Sequence, residues 1–455
     1  MDIQIYNTLT RKVETFIPVT KGQLGMYSCG PTVYNTPHIG NYRTFVLSDL
    51  IRRTFEYNNY KVTQVMNITD VDDKTIRASR EEHVSLEKLT RKHEKMFLDG
   101  LASLNILVPT NLLRATENID EMVALISTLL EKKVAYKAED GVYMSIAKVK
   151  DYGALARIHL SDHTESRVAN DEYDKENPRD FSLWKFKTPE DGDSFWSAPF
   201  GDGRPGWHIE CSAMSMKVLG PTFDIHVGGI DLTFPHHVNE IAQSESATGK
   251  PFVHYWMHGA FVNMTEEKMS KSKGNVIKLE TLIDQSISAL SYRYWLLTAH
   301  YRSPINFSYE AVRGAQTALI RLLSIVAGYP EGGSIIPEYA EKFKADINND
   351  FDLPKAVALT WELVKDSAHT DANKRATLLD FDRVLGLNLS AVPHVAPITT
   401  LAAADMPPEI QVLVDARNEA RTKKDWKKAD ALRAEIEERG FSIKDSEAGT
   451  DVFAS

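Results

Sequence analysis

Cysteine is scarce in this 455-residue chain, which has two, at positions 29 and 211. Two thiols so far apart do not make a disulfide framework. A reducing, cytoplasmic setting is therefore expected, with Cys29 and Cys211 read as core residues, reactive thiols or metal ligands. Long apolar runs are missing too; none reaches the ~18 residues a membrane span needs. Met1-Asp2-Ile3-Gln4 lacks the basic and apolar blocks of a signal peptide, so no membrane attachment is expected. Positive charge is not in excess: 53 Lys and Arg stand against 63 Asp and Glu, a net charge of −10. That does not suggest a general nucleic-acid coat protein and leaves room for a local basic face. Repeats and low-complexity tracts are absent as well. An apolar content of 43% and a charged content of 25% suit an ordinary soluble protein, long enough for two to four domains.

What is present reads as α/β. Residues 1–24 suggest a hairpin. Gly25–Cys29 predicts a strand, Tyr42–Tyr57 a helix with one apolar face, and Lys61–Ile68 a second strand. Strand, helix, strand in that order is a βαβ unit, which calls for a parallel sheet. Ligands of such sheets bind beyond the carboxyl ends of the strands, where Cys29 and Thr69 fall. Helices are expected over 75–135. The segment 136–206 reads as irregular, as an insertion between two halves of a nucleotide-binding sheet would. Periodicity resumes with a helix from Gly206 to about Leu219, a strand at Phe223–Gly229, a helix opening near Pro235 and a strand near Val253–His258. From 279 onward the pattern is almost wholly helical, ending in a hairpin of Glu409–Thr422 and Asp425–Arg439.

Four groups of residues could carry chemistry. Cys29, Cys211, His236 and Glu240 make a possible tetrahedral set with two sulfurs, which points to zinc. His236 and Glu240 share a helix face at i, i+4, while His237 at i, i+3 serves as well on periodicity. Taken by themselves, the two cysteines also suit a buried core. His38-Ile39-Gly40-Asn41 falls where a helix should begin. Helix N-termini offer N–H groups and a positive dipole end to phosphate, and Gly40 permits close approach; a structural turn is the plain alternative. Lys268-Met269-Ser270-Lys271-Ser272-Lys273 is too basic for a core and could set cations on phosphates, or be a solvated turn. Finally, Arg417, Arg421, Lys424, Trp426 and Lys427 concentrate basic and aromatic side chains in the C-terminal hairpin. That pattern suits RNA contact and also suits a solvated helix face.

Taken together and in order, these groups resemble the class I aminoacyl-tRNA synthetases. His38–Asn41 is similar to their HIGH signature and Lys268–Ser272 is their KMSKS signature intact. Within that class the chain resembles the cysteinyl-tRNA synthetases. The segments that carry the likeness are Cys29–Tyr34, Asn67–Lys74, Gly206–Met214, Asp231–Glu240 and His300–Pro304. The likeness runs essentially end to end and implies a Rossmann-type parallel-sheet catalytic domain with an inserted connective segment, followed by a mainly α-helical C-terminal half. The implied division is 1–120 and 206–265 for the two halves of the catalytic domain and 121–205 for the inserted acceptor-end segment. Residues 266–308 would hold the KMSKS loop and stem contacts, 309–391 a helical bundle, and 392–455 a linker and anticodon-binding unit.

The resemblance further implies one zinc ion on Cys29, Cys211, His236 and Glu240, receiving the substrate thiolate. It implies Mg²⁺ with ATP, and L-cysteine and cysteine tRNA as partners of a monomeric enzyme. Gly30, Thr69, Trp207 and Asp231 would bind the amino acid. His38, Gly40 and Asn41, with Lys268 and Lys271, would bind ATP, and His38, Asn41, Lys268 and Lys271 would be catalytic. Two departures stand out: the first signature ends in Asn41 rather than His, and the tail Gly449–Ser455 lacks the Trp and basic residues that many relatives carry. Two competing functions are a cysteine ligase acting on an amino sugar and a non-catalytic binding relative. The first would not need the basic hairpin, and the second would not need the signature residues.

Overall fold

A hairpin of β1 (Gln4–Asn7) and β2 (Lys12–Thr15) opens the chain in the computed structural model. The structure describes residues 2–158, 167–168, 179–264, 277–391, 406–439, 441–446 and 449–454. Then follow β3 (Gln23–Ser28), α1 (Ile39–Tyr57), β4 (Lys61–Ile68), α2 (Asp73–Glu81), α3 (Leu86–Ser103), β5 (Asn111–Arg114) and α4 (Ile119–Glu131). An inserted sheet comprises β6 (Ala135–Lys137), β7 (Gly141–Met144), β8 (Arg167–Val168), β9 (Asp180–Phe186) and β10 (Gly203–Pro205). The main sheet resumes with α5 (Trp207–Leu219), β11 (Phe223–Gly229), α6 (His236–Thr248) and β12 (Val253–Gly259).

The main sheet is parallel throughout, in the order β12-β11-β3-β4-β5. Its central strands carry apolar side chains on both faces because helices cover both; Met26, Val65, Ile225 and Val227 are buried. Ser28 pairs with both Val227 and Met66, so the strands end level. Cys29, Thr69 and the turn after Gly229 therefore emerge together at one edge, as expected for an α/β sheet. The parallel catalytic sheet read from the βαβ pattern is present.

Three local expectations need correction. Within 75–135, expected to be helical, Asn111–Arg114 forms an edge strand; at four residues it is too short for an alternating pattern to show. The stretch 136–206, expected to be irregular, contains the five-stranded inserted sheet. Its other strands are short, and the Gly- and Pro-rich loop after β9 masks the pairing of β9 with β10. The almost wholly helical C-terminal half also holds β14 (Ile305–Phe307), introduced below, and a closing hairpin.

Salt bridges fasten the insertion to α2 beside the main sheet. Lys185 Nζ lies 2.8 Å from Asp73 Oδ2, Arg204 also binds Asp73, and Arg204 Nε lies 2.7 Å from Asp191. Burial acts to raise both carboxyls, but the facing cations outweigh it. Lys185 and Arg204 hold Asp73 below its ordinary range, and Arg204 with Thr188 does so for Asp191. A depressed carboxylate stabilises the fold fully above its unfolded pKa of ~3.9 and loses that contribution as pH falls through its native value. The melting temperature should therefore drop on acidification below pH ~4, and Asp73→Asn should lower it at neutral pH while making the acid drop shallower. Parallel melting-versus-pH curves for the two proteins would contradict this account.

Beyond β12 come β13 (Val262–Met264), α7 (Leu279–Asp284), α8 (Ala289–Leu297), β14 (Ile305–Phe307) and α9 (Tyr309–Gly328). A helical bundle of α10 (Pro337–Asn348), α11 (Leu353–Lys365) and α12 (Asp371–Leu385) follows. Within it the rings of Phe343 and Phe381 stack 4.0 Å apart. Buried Arg293 on α8 donates to Asp49 on α1 at 2.6 Å and to the Leu385 carbonyl at 2.8 Å, tying α8 to both α1 and α12.

The chain forms two compact units: Met1–Leu319 with Tyr329–Leu389, and Ile320–Gly328 with Ser390–Ser455. In the second, α13 (Pro408–Thr422) and α14 (Trp426–Glu438) pack with an antiparallel hairpin of β15 (Phe441–Ser446) and β16 (Gly449–Ala454). Ile410, Val414, Ile436, Ile443 and Val452 form its core. Among the described residues no helix is long and apolar enough to cross a membrane.

Candidate active site

Four side chains predicted to meet do meet. One ligating atom from each of Cys29, Cys211, His236 and Glu240 lies within 4.8 Å of the others, and all four residues are buried. Cys29 follows the end of β3, Cys211 lies in the second turn of α5, and His236 and Glu240 share a face of α6. The chemistry of the surrounding atoms tests whether a metal fits. His226 Nε2 lies 2.9 Å from Glu240 Oε2 and occupies it. Glu240 Oε1 has no hydrogen bond and sits 3.0 Å from His236 Nε2, as two ligands of one ion would. His236 Nδ1 is held by His208 Nδ1 at 2.9 Å, which aims the other ring nitrogen at the cluster. Two sulfurs, one imidazole nitrogen and one carboxylate oxygen fit a tetrahedral divalent ion.

Electrostatics agree with this fit. Burial pushes both thiols up, Cys211 well above its ordinary value. Burial would also lower His236 and raise Glu240, but their mutual attraction outweighs it, together with Cys211 for His236 and His226 for Glu240. His236 rises to about 10 and Glu240 falls to about 2. A cation here would hold both thiols as thiolates and release their protons.

A second set, Cys29, His226, His237 and Glu240, is also close enough to share an ion. It has one sulfur, and its His237 ring is engaged on both sides, 3.4 Å from Cys29 Sγ and 2.8 Å from His258. The structure thus brings both neighbouring histidines to the cluster, and the doubled thiol favours the first set.

Around the cluster stand the residues expected to hold an amino acid. The Trp207 ring lies 4.2 Å from that of His236. Thr69 donates its hydroxyl to Glu210 at 2.8 Å and accepts from Asn67 at 3.1 Å. Gly30 N donates to the Asn67 side chain at 2.7 Å, and any Cβ there would lie 1.7 Å from the Asn67 carbonyl oxygen, so only glycine fits. Asp231 is exposed in the turn after β11. A cleft of about 610 Å³ borders the neighbouring Asp70, lined also by Arg80, Arg91 and Trp196, rather than the sulfur cluster itself.

The His38–Asn41 stretch opens α1 through a reciprocal cap. Asn41 N donates to His38 Nδ1 at 3.2 Å, and His38 N donates to Asn41 Oδ1 at 3.1 Å. A backbone N–H can only donate, so Nδ1 accepts and the ring proton resides on Nε2. Gly40 keeps this cap open, since a Cβ would meet the His38 ring at 3.0 Å. Lys268 and Lys271 lie outside the described residues.

Arg421, Lys424, Trp426 and Lys427 lie on or between α13 and α14, with Trp426 58% exposed. Arg417 is buried and donates within its own unit to Asn418 and Thr450. Sequence reasoning missed His208, His226, Glu210 and Asn67, which orient the site from other elements. No spacing rule relates His208, His226 or Glu210 to Cys29 or Thr69; Asn67 alone stands at the i, i+2 strand spacing from Thr69.

The parallel sheet, its insertion and a helix cap beside the strand ends define a class I aminoacyl-tRNA synthetase catalytic fold. Residues 15–317 match the class I (C) tRNA synthetase catalytic domain, and residues 403–452 match the cysteinyl-tRNA ligase anticodon binding domain. The chain is 41% identical to a cysteine–tRNA ligase of Methanosarcina mazei, covering 100% of this chain and 99% of that one. It is 42% identical to cysteine–tRNA ligase 1 of Burkholderia lata, covering 100% and 97%. In fold it is similar to Mycobacterium tuberculosis methionyl-tRNA synthetase in complex with methionyl-adenylate, with TM-score 0.54, 16% identity and 80% and 90% coverage. It is similar also to an Agrobacterium radiobacter LeuRS in a ternary complex, with TM-score 0.57, 12% identity and 82% and 84% coverage. The chain belongs to the cysteine–tRNA ligase family.

Proposed function

We propose that the protein joins L-cysteine to cysteine tRNA at the expense of ATP. In the first step the cysteine carboxylate attacks the α-phosphate, forming cysteinyl-adenylate and releasing pyrophosphate. In the second, a ribose hydroxyl of the tRNA's 3′-terminal adenosine attacks the acyl carbon and AMP leaves. The observation that carries this reading is the buried Cys29–Cys211–His236–Glu240 cluster at the same sheet edge as the His38 cap. When bound there, zinc supplies a Lewis-acidic position that prefers a thiolate to a hydroxyl.

The chain's own residues do the remainder. Thr69 gives its proton to Glu210 and accepts from Asn67, which leaves a second lone pair for the substrate ammonium. Asp231 adds a carboxylate for the same cation, and Gly30 and Trp207 shape the pocket. The Nε2–H of His38 donates to ATP phosphate. Asn41 has committed its oxygen to the cap, so its amide NH₂ is the group offered to the nucleotide. Lys268 and Lys271, with Mg²⁺, are assigned to the charge on the leaving pyrophosphate. For tRNA we assign residues 121–205 to the acceptor end and the C-terminal unit to the anticodon, through Arg421, Lys424, Trp426 and Lys427. The burial of Arg417 makes it a support for that face. We take the protein to act as a monomer, and two buried free thiols suit the cytoplasm.

Radiolabelled pyrophosphate should exchange into ATP when cysteine is present and not when serine replaces it. Exchange that is independent of cysteine, or absent from a folded, metal-loaded protein, would overturn the reading.

A further inference from the structure

Arg43 sits one turn into α1, just after the His38–Asn41 cap, and is 5% exposed. All four of its hydrogen-bond partners among the described residues are backbone carbonyls. Nη1 donates to Phe261 O at 2.5 Å. Nη2 reaches Ser303 O at 2.5 Å, His300 O at 3.3 Å and Tyr301 O at 3.5 Å. A buried cation without a carboxylate is costly unless its donors are all engaged, so the arrangement needs a reason.

Phe261 directly precedes β13, and Ser303 comes just before β14. These two strands pair in parallel, Val262 with Ile305 and Met264 with Phe307. Arg43 therefore grips both strands at their shared foot. The chain leaves β13 at Met264 and is next described at Ile277, where it touches the same helix start. Ile39 N donates to Ile277 O at 3.0 Å, His38 bridges to Lys278, and Lys278 Nζ donates to Asn35 Oδ1 at 3.2 Å. Tyr292 donates to Ile39 O at 2.9 Å from α8. Phe261, before β13, and Ile277 with Lys278 are thus all tied to α1 or to the turn that carries His38.

We propose that Arg43 is a positioning residue for the ATP half of the reaction. It fixes β13 and β14, through Phe261 and Ser303, against the helix that presents His38, and so holds the start of that helix in place for ATP. The guanidinium suits this task because its planar fork can address several carbonyls at once, whereas a lysine ammonium has three donors on a compact head. Among the described residues Arg43 hydrogen-bonds to neither the sulfur cluster nor Thr69, so the larger effect is expected on ATP. The inference rests on the functional reading above.

The test uses Arg43→Lys and Arg43→Met in the full-length protein. Pyrophosphate exchange is measured against ATP at saturating cysteine, and against cysteine at saturating ATP, with metal content and melting temperature recorded on the same samples. A displacement of about 1 Å can cost on the order of 10²-fold in rate. The expected result is a loss of about 10- to 100-fold in kcat/KM for ATP in Arg43→Met and a smaller loss in Arg43→Lys. KM for cysteine and bound metal should stay within about twofold of wild type. If Arg43→Met does not fold, Arg43→Lys alone decides the matter by the same split. Wild-type ATP kinetics in a folded variant, or a cysteine KM that rises in step with that for ATP, would overturn the inference. Absence of cysteine-dependent exchange in the wild type would instead overturn the underlying function.

Discussion

Cys211→Ser should lose its metal and its preference for cysteine together. Metal content should fall from about one ion per chain to a small fraction, because serine is a harder and far less acidic ligand than a thiol. kcat/KM for cysteine in pyrophosphate exchange should fall on the order of 10³-fold, or about 4 kcal/mol. The physical reason is specific to this pocket. An apolar cavity separates cysteine from its near-isosteres by only about 10- to 200-fold, whereas a site that makes one directed bond can discriminate by about 10⁴–10⁵. Here the directed bond depends on a buried cluster in which Glu240 has one oxygen occupied by His226 and the other 3.0 Å from His236 Nε2. Elemental analysis alongside exchange with cysteine and serine checks both halves. A variant that keeps its metal would contradict the ligand set.

The second large effect concerns His38, where two jobs can be separated. His38→Asn keeps an N-cap residue of the best kind and removes the ring Nε2–H. Its melting temperature should stay near wild type, while adenylate formation slows by about 10²–10³-fold, the usual loss for one preorganised donor to a developing charge. His38→Ala should show the same kinetic defect and in addition lose about 1 kcal/mol of stability with the cap. If His38→Asn activates cysteine at the wild-type rate, the histidine is a cap and nothing more. Stopped-flow measurement of pyrophosphate release, paired with urea unfolding, distinguishes these outcomes.

These two sites were legible in the sequence to different depths. The sheet was plain because the one-faced helix Tyr42–Tyr57 lies between the strands Gly25–Cys29 and Lys61–Ile68, an order that calls for parallel pairing; the polar Gln64, Asn67, Asp224 and His226 buried within its strands gave no such sign. The metal set was visible as residue types and became a site only when the sheet brought Cys29 level with α5 and α6. The choice between His236 and His237 could not be made from spacing, and the structure shows why: Glu240 Oε1 lies 3.0 Å from one and 3.9 Å from the other. His38–Asn41 was read as a phosphate site, while its reciprocal cap was overlooked because histidine is an unusual residue in that role. Nothing in the sequence marks Arg43, since backbone carbonyls from residues 261–303 leave no sequence signal. The inserted sheet stayed hidden for a related reason: strands as short as three residues carry too little periodicity to read.

The most direct test of the whole account is charging itself. The purified protein is incubated with ATP, Mg²⁺, radiolabelled cysteine and unfractionated tRNA, and label precipitable with the RNA is counted. The account predicts ATP-dependent label on tRNA through an ester that mild alkali cleaves, carried by the cysteine-accepting fraction alone. Cysteine-dependent pyrophosphate exchange with no label on tRNA would contradict it and point to a ligase that delivers the activated cysteine to another acceptor.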